Sequence, residues 1–272
     1  MPDSVATWPL PPDRGSRELP FQRHHSRGQA SEAIERPVAI EHPIAFEFNG
    51  IGYAVMMATP ADIEDFVVGF ALSERLIDNA QQLTDIAVHE APTGLVVRAT
   101  LEAVRAEKLS ERARHRLSES SCGLCGIDSL EQAMRPLPDV VARSLAPKSA
   151  IFTALDGLRV MQKLNLSTGA VHAAALCSVD GTVLEVREDV GRHNAFDKLI
   201  GALARNGQGW DGGFALLSSR CSYELVEKAA LANCPLLVTI SAPTDLAVAR
   251  ATECGLQLMV LARPDALLEP DG

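Results

Sequence analysis

The first hundred residues contain short apolar runs separated by polar residues, a pattern typical of β-strands. The dipeptide Asn49-Gly50 lies between two of these runs and predicts a tight hairpin turn. Apolar residues then follow at helical spacing over 63–70, and Thr59, immediately before Pro60, is the expected N-cap of that helix. The strands predicted for this half cover 38–40, 44–48, 51–56, 86–89 and 95–99.

The second half combines a hairpin with alternating helices and strands. The hairpin turns at Asp180-Gly181, and three residues that can cap helices, Asn194, Ser222 and Thr244, precede apolar segments with helical periodicity. Strands that alternate with helices after a hairpin predict a mixed sheet with helices on its faces. The predicted strands cover 173–178, 182–187, 214–217, 236–240 and 256–262, and further helices are predicted over 128–134 and 152–164.

These patterns predict an α/β fold whose mixed sheet and flanking helices follow a smaller N-terminal α+β lobe. Residues 1–36 are polar, contain many Pro and Arg residues and have little to bury, so we expect a disordered tail with structure beginning near Val38. The lobe is assigned to 37–120. The core is assigned to 121–272, which includes a Cys-x-x-Cys loop.

Composition and charge narrow the functional class of the chain. Its 272 residues have a formal net charge of −10, which argues against bulk electrostatic binding to nucleic acid or to an anionic membrane. The sequence has neither a long apolar run that could span a membrane nor the apolar region of a secretory signal. We therefore expect a cytoplasmic protein, in which six cysteines serve chemistry, metal binding or packing rather than disulfides.

The strongest candidate for chemistry is the pair Cys122 and Cys125, which stands directly before the predicted helix 128–134. A helix N-terminus lowers the pKa of a cysteine thiol, and Gly123 and Gly126 permit a tight and accessible turn. Such a pair can accept, hold or exchange sulfur. Two alternatives remain open from spacing alone: half of a zinc site, which would need a second Cys/His pair at motif spacing, and a buried turn with inert thiols.

A second candidate follows the strand predicted over 182–187. Arg192, His193 and Asn194 would lie at the start of a helix, where backbone N–H groups favour an anion. The alternative is structural: Asn194 would act as N-cap, with surface ion pairs such as Arg192 with Asp189. The density of polar residues at one strand-to-helix turn favours a binding site.

Polar residues recur at other turns between strands and helices. Ser219-Arg220 and Ser241 with Thr244 follow strands, where ligands gather at the carboxyl ends of sheet strands. His172 lies at the start of the hairpin and could also be a satisfied core histidine. A further basic residue, Arg263, follows the last strand and could face a phosphate or remain a surface arginine.

Five motifs occur in order between Cys122 and Val248, and with the N-terminal Asn49-Gly50, Thr59-Pro60 and Gly69-Phe70 the match covers about residues 38 to 263. They are Cys122-Gly-Leu-Cys125-Gly126; Thr168-Gly169 through His172-Ala173-Ala174; Glu188-Asp-Val-Gly-Arg-His-Asn-Ala195 with Asp197-Lys198; Ser219-Arg220 with Glu224-Leu-Val-Glu-Lys228; and Ser241-Ala-Pro-Thr244 with Leu246-Ala-Val248. In this combination the chain resembles the formate dehydrogenase accessory sulfurtransferases, usually called the FdhD family.

The resemblance implies a function, a ligand and a fold. Cys122 and Cys125 would receive persulfide sulfur from a cysteine desulfurase and pass it to the molybdenum or tungsten centre of a formate dehydrogenase. The protein, expected to be a homodimer without a structural metal, would hold a bis-guanine-dinucleotide molybdopterin or a guanine nucleotide. The implied fold is similar to cytidine deaminase. The expected ligand-binding residues are His172, Arg192, His193, Asn194, Ser219, Arg220, Ser241, Thr244, Leu261, Ala262, Arg263, Pro264, Asp265 and Ala266.

The relation to deaminases does not extend to their zinc chemistry. A zinc deaminase needs His-x-Glu and Pro-Cys-x-x-Cys, whereas this chain has His172-Ala173-Ala174 and a single Cys221. We therefore expect no deamination. Two other functional classes remain as alternatives: a cofactor-binding chaperone without sulfur chemistry, and a zinc or redox dithiol protein.

Overall fold

The structure, a computed structural model, describes residues 14–26, 30–102 and 134–271. Cys122, Cys125 and most of the helix predicted over 128–134 lie outside the described residues, as does the start of the tail. The described chain folds into α/β architecture with two-, four- and five-stranded sheets.

A four-stranded sheet and one helix form the N-terminal lobe. The elements are β3 (His42–Phe48), β4 (Ile51–Ala58), α1 (Ile63–Ser73), a 3-10 turn (Ala80–Gln82), β5 (Leu83–Ala91) and β6 (Gly94–Leu101). The strand order is β4-β3-β6-β5, with β3 and β6 parallel and the other neighbours antiparallel. Phe46, Phe66 and Phe70 pack together in the buried core between the sheet and α1. The expected hairpin at Asn49-Gly50 is confirmed.

A separate antiparallel ribbon precedes this lobe. Strands β1 (Ser16–Arg23) and β2 (Glu32–Ala39) pair along their whole length. The expectation that structure begins near Val38 is therefore wrong. The reason is that backbone hydrogen bonds between two strands do not require an apolar pattern, and most of the ribbon's side chains are exposed or half-buried.

The C-terminal half forms a five-stranded sheet of order β11-β10-β9-β7-β8. Its elements are α2 (Lys148–Met161), α3 (Lys163–Thr168), β7 (His172–Cys177), β8 (Val183–Asp189), α4 (Arg192–Asn206), β9 (Phe214–Leu217), α5 (Tyr223–Leu231), β10 (Leu236–Thr239), α6 (Asp245–Cys254) and β11 (Gln257–Met259). The strand β7 is antiparallel to both neighbours, whereas β9, β10 and β11 run parallel. The predicted mixed sheet is thus confirmed.

Side-chain alternation along the sheet explains where the helices lie. On β9, Ala215 and Leu217 share a core with α4, α5 and α6, whereas Phe214 and Leu216 share another with α2. Because successive side chains of a strand point to opposite faces, an uninterrupted apolar strand is buried on both sides. The helices therefore cover both faces of the sheet.

The helix predicted over 152–164 is instead two helices, α2 and α3, separated at Gln162, and two expected N-caps also differ from the structure. Helix α1 begins at Ile63 with Asp62 as its N-cap rather than Thr59, and α4 begins at Arg192 with Gly191 as its N-cap rather than Asn194. Thr59 and Asn194 are instead used in long-range hydrogen bonds. The prediction for α6 was correct, because the Thr244 hydroxyl accepts a hydrogen bond from the Ala247 amide.

Helices α1 and α4 join the lobe to the five-stranded sheet by an unusually close contact. A β-carbon added to Gly69 would lie 1.7 Å from the carbonyl oxygen of Asp197, and one added to Gly201 would lie 1.8 Å from that of Asp65. Only glycine permits backbones to approach this closely. Among the described residues, no helix has the length and apolar character needed to cross a bilayer.

Candidate functional site

Most of the predicted binding residues lie along one edge of the five-stranded sheet. Strands β8, β9, β10 and β11 end at this edge and the antiparallel β7 begins there, so His172 lies beside the turn after β9. The amide of Ala173 donates to the Ser218 hydroxyl at 2.8 Å, and the amide of Ser218 donates to the Ala173 carbonyl at 3.0 Å. We call this the carboxyl edge.

Backbone hydrogen bonds connect the remaining turns to the carboxyl edge. Ser241 donates its amide to the Ser219 carbonyl, and Leu261 donates its amide to the Ser241 carbonyl, each at 3.3 Å. A further turn is closed by the Arg263 amide, which donates to the Ala266 carbonyl at 2.8 Å. The predicted stretch 261–266 is therefore attached to the same edge as the turns after β9 and β10.

The side chains along this edge include a concentration of basic groups. The pKa of His172 is lowered first by burial and then by the positive charges of Arg192, His193 and Arg220, with Asp189 opposing. Each of these three groups is therefore close enough to act electrostatically on His172. Basic side chains from β7, α4 and the turn after β9 therefore lie close together in a chain of net negative charge.

His193 has partners on the neighbouring helix α5. Its Nε2 lies 2.8 Å from Oε2 of Glu224 and 3.0 Å from the hydroxyl of Ser222, the N-cap of α5. The hydrogen bond from His193 is the largest cause of the lowered pKa of the Glu224 carboxyl, although burial opposes it. This contact fixes the imidazole between the first turns of α4 and α5.

Arg192 has an unsatisfied group within this edge. Its Nε is buried and has no hydrogen-bond partner in the described part of the chain. Buried polar groups in native proteins are nearly always paired, so an orphaned guanidinium nitrogen at the end of a sheet indicates a place for an acceptor. Anionic oxygens, such as those of a phosphate, suit an arginine.

The structure does not bring every predicted residue to the surface of the carboxyl edge. Asn194 is buried, and its Nδ2 donates to the Met57 carbonyl at 2.9 Å and to Oδ1 of Asp189 at 3.0 Å. Ala262 is fully buried, and the side chain of Ser219 is buried too. The basic residues His172, Arg192 and His193 are half-buried. The exposed residues of the predicted set are Arg220, Thr244, Arg263, Pro264, Asp265 and Ala266.

The buried support for this edge is a network that the sequence-based reasoning did not identify. Asp189 and Lys198 have fully buried side chains whose charged atoms lie 2.7 Å apart. Lys198 also donates to the Thr59 carbonyl at 2.8 Å. Asp189 and Lys198 belong to one sequence motif. Thr59 is more than a hundred positions earlier in the chain, and only the fold places it beside them.

The four described cysteines are poor candidates for thiol chemistry. Cys177, Cys221, Cys234 and Cys254 are all buried and free. Burial raises the pKa of the Cys177, Cys221 and Cys234 thiols to about 12 and also raises that of Cys254. A thiol must ionise to act as a nucleophile, so these four are structural.

Comparison with known proteins identifies what this architecture is similar to. The model of the FdhD/NarQ family matches residues 39–268. A protein named sulfur carrier protein FdhD from Xanthomonas euvesicatoria pv. vesicatoria (strain 85-10) is 48% identical over 250 residues, covering 92% of this chain and 88% of its own. Another with that name, from Variovorax paradoxus (strain S110), is 44% identical, covering 85% of this chain and 83% of its own.

A solved structure supports the fold independently. The protein, from Desulfotalea psychrophila and described as a formate dehydrogenase accessory protein, superposes with a TM-score of 0.71. It covers 95% of this chain and 97% of its own at 22% sequence identity. The family match covers most of the chain and includes the whole carboxyl edge, and the relatives extend over nearly its full length. The chain belongs to the FdhD/NarQ family.

Proposed function

We propose that this protein is a sulfur carrier, which accepts persulfide sulfur from a cysteine desulfurase and delivers it for a formate dehydrogenase. The observation that supports this most strongly is the burial of all four described cysteines. Of the six cysteines in the chain, this leaves Cys122 and Cys125 for thiolate chemistry. The names of the relatives point to the same role.

In the proposed loading step, the Cys122 thiolate attacks the outer sulfur of the desulfurase persulfide. The S–S bond of the desulfurase breaks, its cysteine leaves as a thiolate, and a new S–S bond forms on Cys122. In the delivery step, the Cys125 thiolate attacks the inner sulfur and releases the outer sulfur as hydrosulfide to the molybdenum cofactor. A Cys122–Cys125 disulfide remains, which a dithiol reductant returns to two thiols.

The carboxyl edge is the proposed binding site for the substrate of the delivery step. The guanine-nucleotide diphosphate groups of a bis-guanine-dinucleotide molybdopterin would bind at Arg192, His172 and Arg220. Three observations support the assignment: the unpartnered buried Nε of Arg192, the clustered basic groups, and the N-terminus of α4 at the same place. Arg263 and its neighbours extend the site toward the guanine end.

Further parts of the proposal concern scaffold and assembly. The hairpin followed by alternating helices and strands supports a relation to cytidine deaminases. We also propose that the protein works in the cytoplasm as a homodimer. The chemistry of the cysteine pair requires neither the relation to cytidine deaminases nor the homodimer.

Mass spectrometry after incubation with a cysteine desulfurase and cysteine tests the loading step. We expect wild-type protein to gain the mass of one sulfur atom on Cys122, and Cys122→Ala to gain none. Cys221→Ala is the matched control, because Cys221 is buried at the carboxyl edge and should not alter loading. Wild-type protein that stays unmodified at Cys122 would exclude it as the carrier.

A chaperone without sulfur chemistry is the second candidate, because the basic carboxyl edge could bind a nucleotide cofactor without any thiol. A strain that lacks the protein, complemented with Cys122→Ala/Cys125→Ala, separates the two functions. The sulfur carrier predicts no formate dehydrogenase activity, whereas the chaperone predicts activity close to wild type. Stoichiometric zinc in the purified protein, lost in the same double variant, would instead support a zinc-binding dithiol.

A further inference from the structure

We propose that Thr59, a residue of the N-terminal lobe, positions the anion site of the carboxyl edge through the buried pair Asp189–Lys198. The inference rests on the proposed function, because the ligand concerned is the nucleotide assigned above. Thr59 lies directly after β4, is fully buried, and exchanges hydrogen bonds with Asp189, Val190 and Lys198. It acts on Arg192 and His193 through the turn that precedes them.

Asp189 is the centre of this arrangement. Its Oδ1 accepts hydrogen bonds from the Gly191 amide at 2.7 Å and from Asn194 Nδ2 at 3.0 Å. Its Oδ2 accepts from the Thr59 amide at 3.0 Å and lies 2.7 Å from Lys198 Nζ. The carboxylate therefore connects the backbone of the turn that leads into α4 to the backbone of the N-terminal lobe.

Thr59 uses all three of its polar groups in the same network. Besides its amide, its carbonyl accepts from Lys198 Nζ at 2.8 Å, and its hydroxyl oxygen accepts from the Val190 amide at 3.2 Å. The residue is fully buried. The path of residues 189–191 is thus determined by a residue in the other lobe.

The turn has little freedom to adopt another path. A β-carbon added to Gly191 would lie 2.6 Å from Nδ2 of Asn194, so even alanine would displace the amide that binds Asp189. Because Arg192 and His193 come immediately after this turn, a shift of the turn moves both side chains relative to the ligand. Misplacing binding groups by about 1 Å is enough to lower their effect substantially.

A purely structural role for Thr59 would make a different prediction from a positioning role. If the role is purely structural, loss of the Thr59 hydroxyl should lower stability without changing the affinity for the ligand. A second, partly buried contact in the same interface allows the comparison: the Ser73 hydroxyl donates to Oδ1 of Asp197 at 2.6 Å, and that carboxylate also accepts from Lys228.

The test measures the Kd for guanosine diphosphate by calorimetry, with thermal unfolding of every variant. Thr59→Val removes the acceptor of the Val190 amide but keeps the backbone groups of residue 59, and it should raise Kd about fivefold to tenfold. Thr59→Ser restores the hydroxyl and should recover affinity close to wild type. Ser73→Ala is the matched control and should lower the unfolding temperature without changing Kd.

Gly191→Ala tests the same inference if Thr59→Val does not fold, and we expect a similar loss of affinity. Wild-type affinity in a folded Thr59→Val or Gly191→Ala variant would overturn the positioning role. So would an equal rise in Kd for Ser73→Ala. Arg192→Gln separates the anion site from the positioning role of Thr59. If Arg192→Gln weakens nucleotide binding and Thr59→Val does not, the anion site stands and only the positioning role is wrong. If wild-type protein does not bind the nucleotide, the anion site itself is wrong and the inference falls with it.

Discussion

The charged residues of α4 and its surroundings fall into two regions that differ in how the charges are neutralised. At the interface with α1, Asp189 is matched by Lys198 and Asp197 by Lys228, with both carboxylates buried. At the carboxyl edge, which includes the first turn of α4, the basic groups Arg192, His193 and Arg220 lie close to His172, and Arg192 keeps a buried nitrogen without a partner in the described residues.

Within one sequence motif, the difference separates the charges that join the two lobes from the charges that are proposed to bind a ligand. A buried charge is tolerated only when it is paired and hydrogen-bonded. The paired charges at the interface with α1 therefore have a structural role, which is to join the two lobes. Like charges placed side by side lower stability unless a ligand of opposite sign compensates them. At the carboxyl edge Glu224 pairs with His193, and the remaining basic groups are those that the proposed anionic ligand would compensate.

The largest effect is expected when one buried pair is broken. Lys198→Met leaves Asp189 fully buried without its cation and should lower the free energy of unfolding by about 3–5 kcal/mol. Urea denaturation measures the change. Asp189→Asn/Lys198→Met removes both charges and should recover part of the loss, whereas a double variant as unstable as Lys198→Met alone would argue that packing rather than charge is responsible.

A smaller effect, on affinity instead of stability, is expected at the carboxyl edge. Arg220→Gln should weaken guanosine diphosphate binding about fivefold, which corresponds to about 1 kcal/mol, and should reduce its salt dependence. Stability should change by less than about 0.5 kcal/mol, because the side chain is exposed. Arg98→Gln makes the same charge change in the four-stranded sheet and is the control; equal weakening in both variants would refute a local site.

The smallest effect concerns the protonation of His172. Burial, followed by Arg192, His193 and Arg220, lowers its pKa below the usual 6.5, so the unfolded chain takes up the proton first as the pH falls. The contribution of His172 to stability is therefore fully present above about pH 6.5. It is lost as the pH falls from about 6.5 toward the lower pKa of the folded state. Wild-type protein should lose more stability than His172→Gln between about pH 7.5 and 5.5. Parallel profiles in chemical denaturation would show that folding does not lower the pKa of His172.

Much of the fold followed from local patterns. The strand Phe214–Leu217 and the hairpins at Asn49-Gly50 and Asp180-Gly181 were predicted because apolar runs and turn dipeptides act over a few residues. The ribbon of β1 and β2 was missed, since strand pairing by backbone groups leaves little trace in side-chain pattern. The N-caps of α1 and α4 were missed because Thr59 and Asn194 bond to residues distant in the chain.

The sequence by itself determined which chemical groups are available: a cysteine pair between glycines, basic residues at strand-to-helix turns, and a family pattern that spans most of the chain. Only the tertiary structure decided which members of one motif are buried as support and which remain at the carboxyl edge. Asn194, Asp197 and Lys198 turn inward to buried partners, whereas Arg192 and His193 face the edge. The physical reason is that burial and pairing depend on contacts between residues far apart in the chain, which no local pattern contains.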